Sequence, residues 1–339
     1  EIADRDWSSD VCSSDLLQST TPKGNRESLS EIVSLITPRD TPIYSDISHA
    51  GMDATFEEWE IDALAAPAAN AQLEGDTFTF AAITPVVRVG NYAQILRKDW
   101  SITKTQEAVK NAGNAEKRKQ VKIKRGIEIR KDVELAIVSN TASVAGVTRL
   151  SGGLPSWLTT NVSRGATGAN GGYSVGTKLT VAATNGTQRA FTKVLLDTVM
   201  QSCYQSGANV SKVYVSPYVK SVFVTFMSDT NVASFRYATD SGKNNKIVSN
   251  ADTYEGPFGE VDIVPNRIMA KDATSARNVF LADTEMLAWD WLRPIQNVPD
   301  LAVTSDSEQG VIIGEGTLKV MNEAGLGVIA DVFGLTAST

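Results

Sequence analysis

Residues 56–80 read FEEWEIDALAAPAANAQLEGDTFTF. Glu58, Glu60 and Asp62 alternate with Trp59, Ile61 and Ala63, so a period of two sends the carboxylates to one face and the apolar groups to the other. That pattern predicts a strand with one dry side. After the alanine-rich tip at Ala65–Ala71, apolar and β-branched residues return from Phe78 through Val86, Val87, Val89, Tyr92, Ile95 and Leu96, which predicts a return strand and a long hairpin. Arms of about fifteen residues at about 3.3 Å each would reach roughly 50 Å, farther than one small domain covers. The expected receiver of such a ribbon lies outside the chain.

The chain has 339 residues, 42% of them hydrophobic, and a net charge of −7, enough for two domains or one elaborated domain with real cores. No window approaches the roughly 18–20 uninterrupted apolar residues of a membrane span, and no signal segment opens the sequence, so the expectation is a cytoplasmic protein with no membrane partner. Cys12 and Cys203 are the only cysteines, which excludes a disulfide framework and a cysteine-based metal cluster. The opening EIADRDWSSDVCSSDL, residues 1–16, is serine-rich and aperiodic and resembles adapter read-through or a mobile arm.

Charge is segregated along the chain. Residues 51–87 hold seven acids and no base, whereas residues 97–134 hold twelve Lys or Arg against six Asp or Glu. Residues 101–142 lack proline and are rich in Lys, Glu, Ala and Ile, predicting the longest helix. On it Lys110, Lys117, Lys124 and Lys131 fall seven apart and share one wet face, opposite Ile129, Val133 and Ala136. Before the ribbon, Leu29, Ile32, Val33 and Ile36 predict a short helix stopped by Pro38 and Pro42. Residues 146–189, with SGG, RGATGANGGYSVG and TNGT, predict a poorly packed connector or hairpin. Leu195, Leu196, Val199, Met200, Cys203 and Tyr204 predict a helix ending at Gly207, and VYVSPYVKSVFVTFM predicts a strand, Ser216 as N-cap and Pro217 opening an apolar helix. Strands are expected at 261–264, 279–282, 316–321 and 326–335. The order is α+β without regular βαβ alternation.

Motifs of chemistry are missing: no nucleophile elbow, P-loop, dinucleotide fingerprint or HExxH occurs, and Gly314-Glu-Gly316 lies between strand-like runs. His49 lacks a partner motif for general-base work. Glu57, Glu58 and Glu60 could bind a divalent cation but read as a solvated strand face. Trp289 and Trp291 read as core aromatics rather than a stacking platform. No enzyme and no cofactor is expected, and the basic helix, lacking interleaved aromatics, suits only weak non-specific contact with nucleic acid.

Two stretches, SLSEIVSLITPRDTPIYSDI and FEEWEIDALAAPAANAQLEGD, together with SGANVSKVYVSPYVKSVF, resemble the major capsid proteins of tailed phages, which have the Hong Kong 97-like fold. The resemblance covers about 28–335. It implies an N-terminal arm at 28–50 after a segment at 1–27, an extended loop at 51–98, a spine helix and connector of a peripheral domain at 99–189, an axial domain at 190–300 and return strands at 301–339. It implies an icosahedral virion shell around packaged DNA, built from hexamers and pentamers of this chain in the host cytoplasm, with portal, scaffold or decoration proteins as further partners. A tail tube or decoration protein is the rival virion role, and an enzyme of unrecognised type the more distant alternative. Glu57, Glu58, Trp59, Glu60, Ile61, Asp62, Glu74, Asp76, Phe78 and Phe80 would meet a neighbour, the apolar groups on its surface and the carboxylates near Lys110, Lys117, Arg118, Lys124 and Lys131. Some relatives join subunits through a loop lysine. Here residues 51–87 carry none and Lys98 sits at the expected helix entrance, so noncovalent contacts are expected.

Overall fold

The structure, a computed structural model, describes residues 37–77, 80, 82–83, 85–109, 117–226, 252–298 and 305–334. The helix expected at 29–36, Cys12, Phe78 and Lys110 lie outside them. In chain order come α1 (Pro42–Asp46), β1 (Ser48–Gly51), β2 (Phe56–Ile61), β3 (Val87–Tyr92), β4 (Gln94–Thr103), α2 (Lys104–Ala108), α3 (Lys117–Val138), β5 (Val162–Ser163), β6 (Gly172–Ser174) and β7 (Leu179–Val181). Then follow α4 (Lys193–Gln205), β8 (Lys212–Val215), α5 (Pro217–Phe226), β9 (Thr253–Gly256), β10 (Gly259–Pro265), β11 (Val279–Ala282), β12 (Leu287–Asn297), β13 (Ser307–Val320) and β14 (Leu326–Ile329).

Two sheets organise these elements. A four-stranded sheet runs β1-β12-β13-β4, and a six-stranded mixed sheet runs β5-β14-β11-β8-β10-β9. Alternation in the central strands of the larger sheet feeds two cores. Tyr214, Phe280, Ala282, Leu326 and Val328 join Trp289 and Leu318 of the smaller sheet and Val133 and Ile137 of α3. Val213, Val215, Val279, Leu281 and Ile329 face Leu196, Val199 and Cys203 of α4 and Val219 and Phe223 of α5. The central strands β8, β11 and β14 are thus buried on both faces, which is why they read as nearly continuous apolar runs.

Helices α4 and α5 are bounded as their sequences dictate. Gly207 adopts φ +88 just after α4, where its N–H and that of Ala208 donate to Tyr204 O and Cys203 O, a left-handed cap that any Cβ would strain. At α5 the Val219 N–H donates to Ser216 Oγ at 3.3 Å.

Three expectations need correction. The helix expected over 101–142 is a strand at its start: β4 runs to Thr103, paired with β13, and the helical part is α2 and then α3. Inward-facing Leu96, Lys98, Trp100 and Ile102 alternate there, and Gly310 of β13 leaves room for the Trp100 ring, which would stand 2.2 Å from a Cβ at that position. Lys98 therefore belongs to β4, where it pairs with Asp132 of α3 at 2.7 Å. The hairpin has short arms, since β2 and β3 pair only from Phe56↔Tyr92 to Ile61↔Val87. Finally, the connector at 146–189 contains the β6–β7 hairpin but is not poorly packed. Residues 151–158 are all buried, because Leu154, Trp157 and Leu158 enter the first core and buried Asn91 pins the turn there, donating to Gly152 O and Leu318 O and accepting from Gly152 N–H.

Candidate functional site

The base of the acidic ribbon is fastened to its own chain. Trp59 Nε1 donates to Val320 O at 3.0 Å, its ring lies 5.5 Å from Trp157, and Trp157 stacks on Tyr173. Ile61 packs into the same core. The apolar face of β2 is therefore partly covered within the subunit: Trp59 and Ile61 are half-buried, so some of the dry side is spent on the chain's own core and some remains at the surface. The carboxylates of β2 are also paired internally, Glu57 with Lys319 at 3.5 Å, Glu58 with Lys178 at 2.8 Å and Glu60 with Arg88 at 3.2 Å. The hydrogen bond from Lys178 to Glu58 holds the lysine above its ordinary pKa, and burial, with Glu58 adding, raises Tyr173.

Beyond Ile61 the situation reverses. Every described residue from Asp62 to Val86 is exposed, and none of these described residues has a strand partner. Leu64 is 100% exposed, Leu73 80%, Phe80 95% and Ile83 94%, so four large apolar side chains of this segment stand in water. The chain turns at Leu73–Asp76, where Asp76 N–H donates to Leu73 O. Asp62, Glu74 and Asp76 form no ion pair among the described residues. Their nearest hydrogen bonds are local, Asp62 accepting from Ala63 N–H and Asp76 from Thr77 N–H.

The basic helix presents the complementary charge. Ile129, Val133, Ile137 and Val138 bury one side of α3, leaving Lys124 exposed and Lys131 half-buried on the other, with no carboxylate partner among the described residues. Arg118 pairs with Glu107 and Glu308, and Lys122 sits over the Trp100 ring at 5.0 Å. Lys117 begins the helix. The structure thus brings Glu57, Glu58, Glu60, Trp59 and Ile61 together at the loop base, and keeps Asp62, Glu74, Asp76 and Phe80 on the free loop, away from Lys117, Arg118, Lys124 and Lys131.

Of the buried carboxylates, which the sequence did not signal as sites, three join distant parts of the chain. Glu315, between Gly314 and Gly316, is held by Arg149 Nη2 at 2.5 Å and Arg293 Nη2 at 2.8 Å. Glu134 on α3 accepts from Ile43 N–H at 3.0 Å, Tyr44 N–H at 2.7 Å and Asn266 Nδ2, and burial pushes it up to about 7. Asp290 lies beside Lys319 in the smaller sheet. Only their isolation inside apolar runs signalled them. His49 is exposed on β1 against the Tyr44 ring, and Trp289 and Trp291 are core aromatics. Among the described residues no group of three potential ligands is placed to hold a metal, and no helix is long and apolar enough to cross a membrane.

A long helix laid against a four-stranded sheet, a second mixed sheet flanked by helices and a protruding loop define the Hong Kong 97-like class of shell-building proteins. The chain is similar to the capsid of a native GTA particle (TM-score 0.59, 13% identity, 94% of this chain and 100% of that one) and to the SrpI encapsulin of Synechococcus elongatus (TM-score 0.57, 9% identity, 93% and 95%). The family model for the SU10 major capsid protein matches residues 16–333, and the chain belongs to that family. The major capsid protein of Escherichia phage Phieco32 is 30% identical over 128 residues, 38% of this chain and 36% of that protein. The chain thus matches little more than a third of that relative's length.

Proposed function

We propose that this chain assembles, through noncovalent contacts between copies, into an icosahedral phage head around packaged DNA, in the host cytoplasm. The observation that carries the reading is the loop at 62–86, whose described residues hold large apolar side chains in water and carboxylates without an ion pair. A second copy supplies both needs: an apolar surface for Leu64, Leu73, Phe80 and Ile83, and the basic face of α3 for Asp62, Glu74 and Asp76. Burial would hold the contact and charge would set its register. Phe78 and Lys110 belong to the same proposed contact by their place in the sequence. Glu57, Glu58, Glu60, Trp59 and Ile61 contribute by aiming the loop from its base. The α4–α5 side of the larger sheet is the proposed axial domain, around which hexamers and pentamers close, and the smaller sheet with α3 the peripheral domain. Portal, scaffold and decoration proteins are the further partners such a head takes.

The family match favours a phage head over the compartment that an encapsulin builds, a choice the shared fold alone does not make. Deleting residues 64–76 tests the reading. Full-length protein should give closed shells in negative stain, and the deletion should leave folded, unassembled subunits by circular dichroism and size-exclusion chromatography. Normal shells from the deletion would overturn it.

A further inference from the structure

Asp290 and Lys319 occupy adjacent strands, with Asp290 opposite Thr317 and Lys319 opposite Ala288, so their side chains leave the same face as diagonal neighbours. The base of the loop covers that face. Asp290 is 1% exposed and neither of its carboxylate oxygens accepts a hydrogen bond, although a buried carboxylate needs such bonds to offset its lost hydration. Lys319 Nζ stands 3.3 Å from Asp290 Oδ2 and 3.5 Å from Glu57 Oε1, with the Trp59 ring 5.6 Å away. An amine in contact with an oxygen of a buried acid that has no hydrogen bond, a second carboxylate beside that amine and an aromatic ring over it are the components of amide formation.

We propose that Lys319 and Asp290 become joined by an intrachain isopeptide bond, with Glu57 carrying the proton. The ammonium first passes one proton to the Asp290 carboxylate, giving a neutral amine and a neutral acid. The Nζ lone pair attacks Cγ and forms the C–N bond. Glu57 takes a second proton from Nζ and delivers it to the departing hydroxyl, the Cγ–O bond breaks, and one water leaves. No oxidant or reductant is required. The product replaces two charges in the sheet by one neutral amide and fastens β12 to β13 beneath the loop base. Because both residues belong to one chain, subunits are not linked to one another.

The test is the intact mass of the denatured full-length chain, followed by a tryptic map. The expected mass is about 18 Da below that of the sequence, the loss of one water on amide formation, with a branched peptide joining the segments that contain Asp290 and Lys319. Lys319→Arg and Glu57→Gln should each have the full sequence mass. A wild-type chain at full mass overturns the proposal without reference to any variant. So does a deficit that persists in Lys319→Arg, and a deficit that persists in Glu57→Gln removes the carrier role of that residue.

Discussion

A glutamate with no exposed surface ties three parts of this subunit together: Glu134 belongs to α3, takes two N–H groups from α1 and a third donor from Asn266, just after β10. Its neighbour in that junction is Asp46, which accepts from Tyr214 Oη and pairs with Lys212. Burial raises Glu134 from 4.5 to about 7, against the pull of its donors. A carboxyl raised on folding binds its proton more tightly in the folded chain. Its stabilising contribution is therefore complete below 4.5, falls as pH rises through 4.5–7 and is gone above, a change of about 3 kcal/mol. Urea midpoints of the unassembled protein should decline between pH 5 and 7, and Glu134→Gln should flatten that slope. The amide has one acceptor oxygen where the carboxyl has two, so the variant should also be less stable at pH 5, with the gap closing by pH 8. An unchanged slope would move the titration elsewhere. Glu315 makes a sharper case, because its two arginines would be left without their anion: Glu315→Ala should cost about 3 kcal/mol in the same assay.

Among the elements, β2 and the loop that continues it behave oppositely, and two variants separate them. Trp59→Ala should lower the stability of the unassembled subunit by about 3 kcal/mol, since it empties a site in the subunit's own core. An unshifted urea midpoint would return Trp59 to a neighbour's surface. Asp62, Glu74 and Asp76 all changed to Lys should leave the midpoint within about 0.5 kcal/mol, as exposed charges do, yet stop particle formation by placing like charges on the basic face of α3. Particles in normal yield would show that the loop docks elsewhere. Alternation of Glu58, Trp59, Glu60 and Ile61 was enough to read β2 from the sequence, and Ser216-Pro217 enough to read β8 followed by α5. The surface that would cover Trp59 was not legible, because a period of two says that one face is dry and nothing about whose atoms dry it. β4 was hidden by its lysine, arginine and aspartate, polar on an edge strand and equally at home in a helix. The packing of 151–158 was hidden because it rests on Asn91, a long-range hydrogen-bond hub with no local signature.

For the molecule as a whole, fold and family were legible from three short stretches, whereas the buried carboxylates that join its parts were not, since each is polar in sequence and acquires meaning only from donors far along the chain. Particles boiled in detergent with reductant should run as one band near 36.3 kDa, and a ladder of multiples would reveal links between subunits. The way the sheets are joined carries a mechanical consequence. The chain crosses from one sheet to the other at Asp283–Met286 and again at Met321–Gly325, and the two crossings are bonded to each other, Asp283 N–H to Gly325 O and Met321 N–H to Met286 O. Two struts side by side fix a line rather than a point. With one core packed against both sheets, the paired crossings work as a clamp rather than a hinge, so torque applied to one half of the subunit passes to the other.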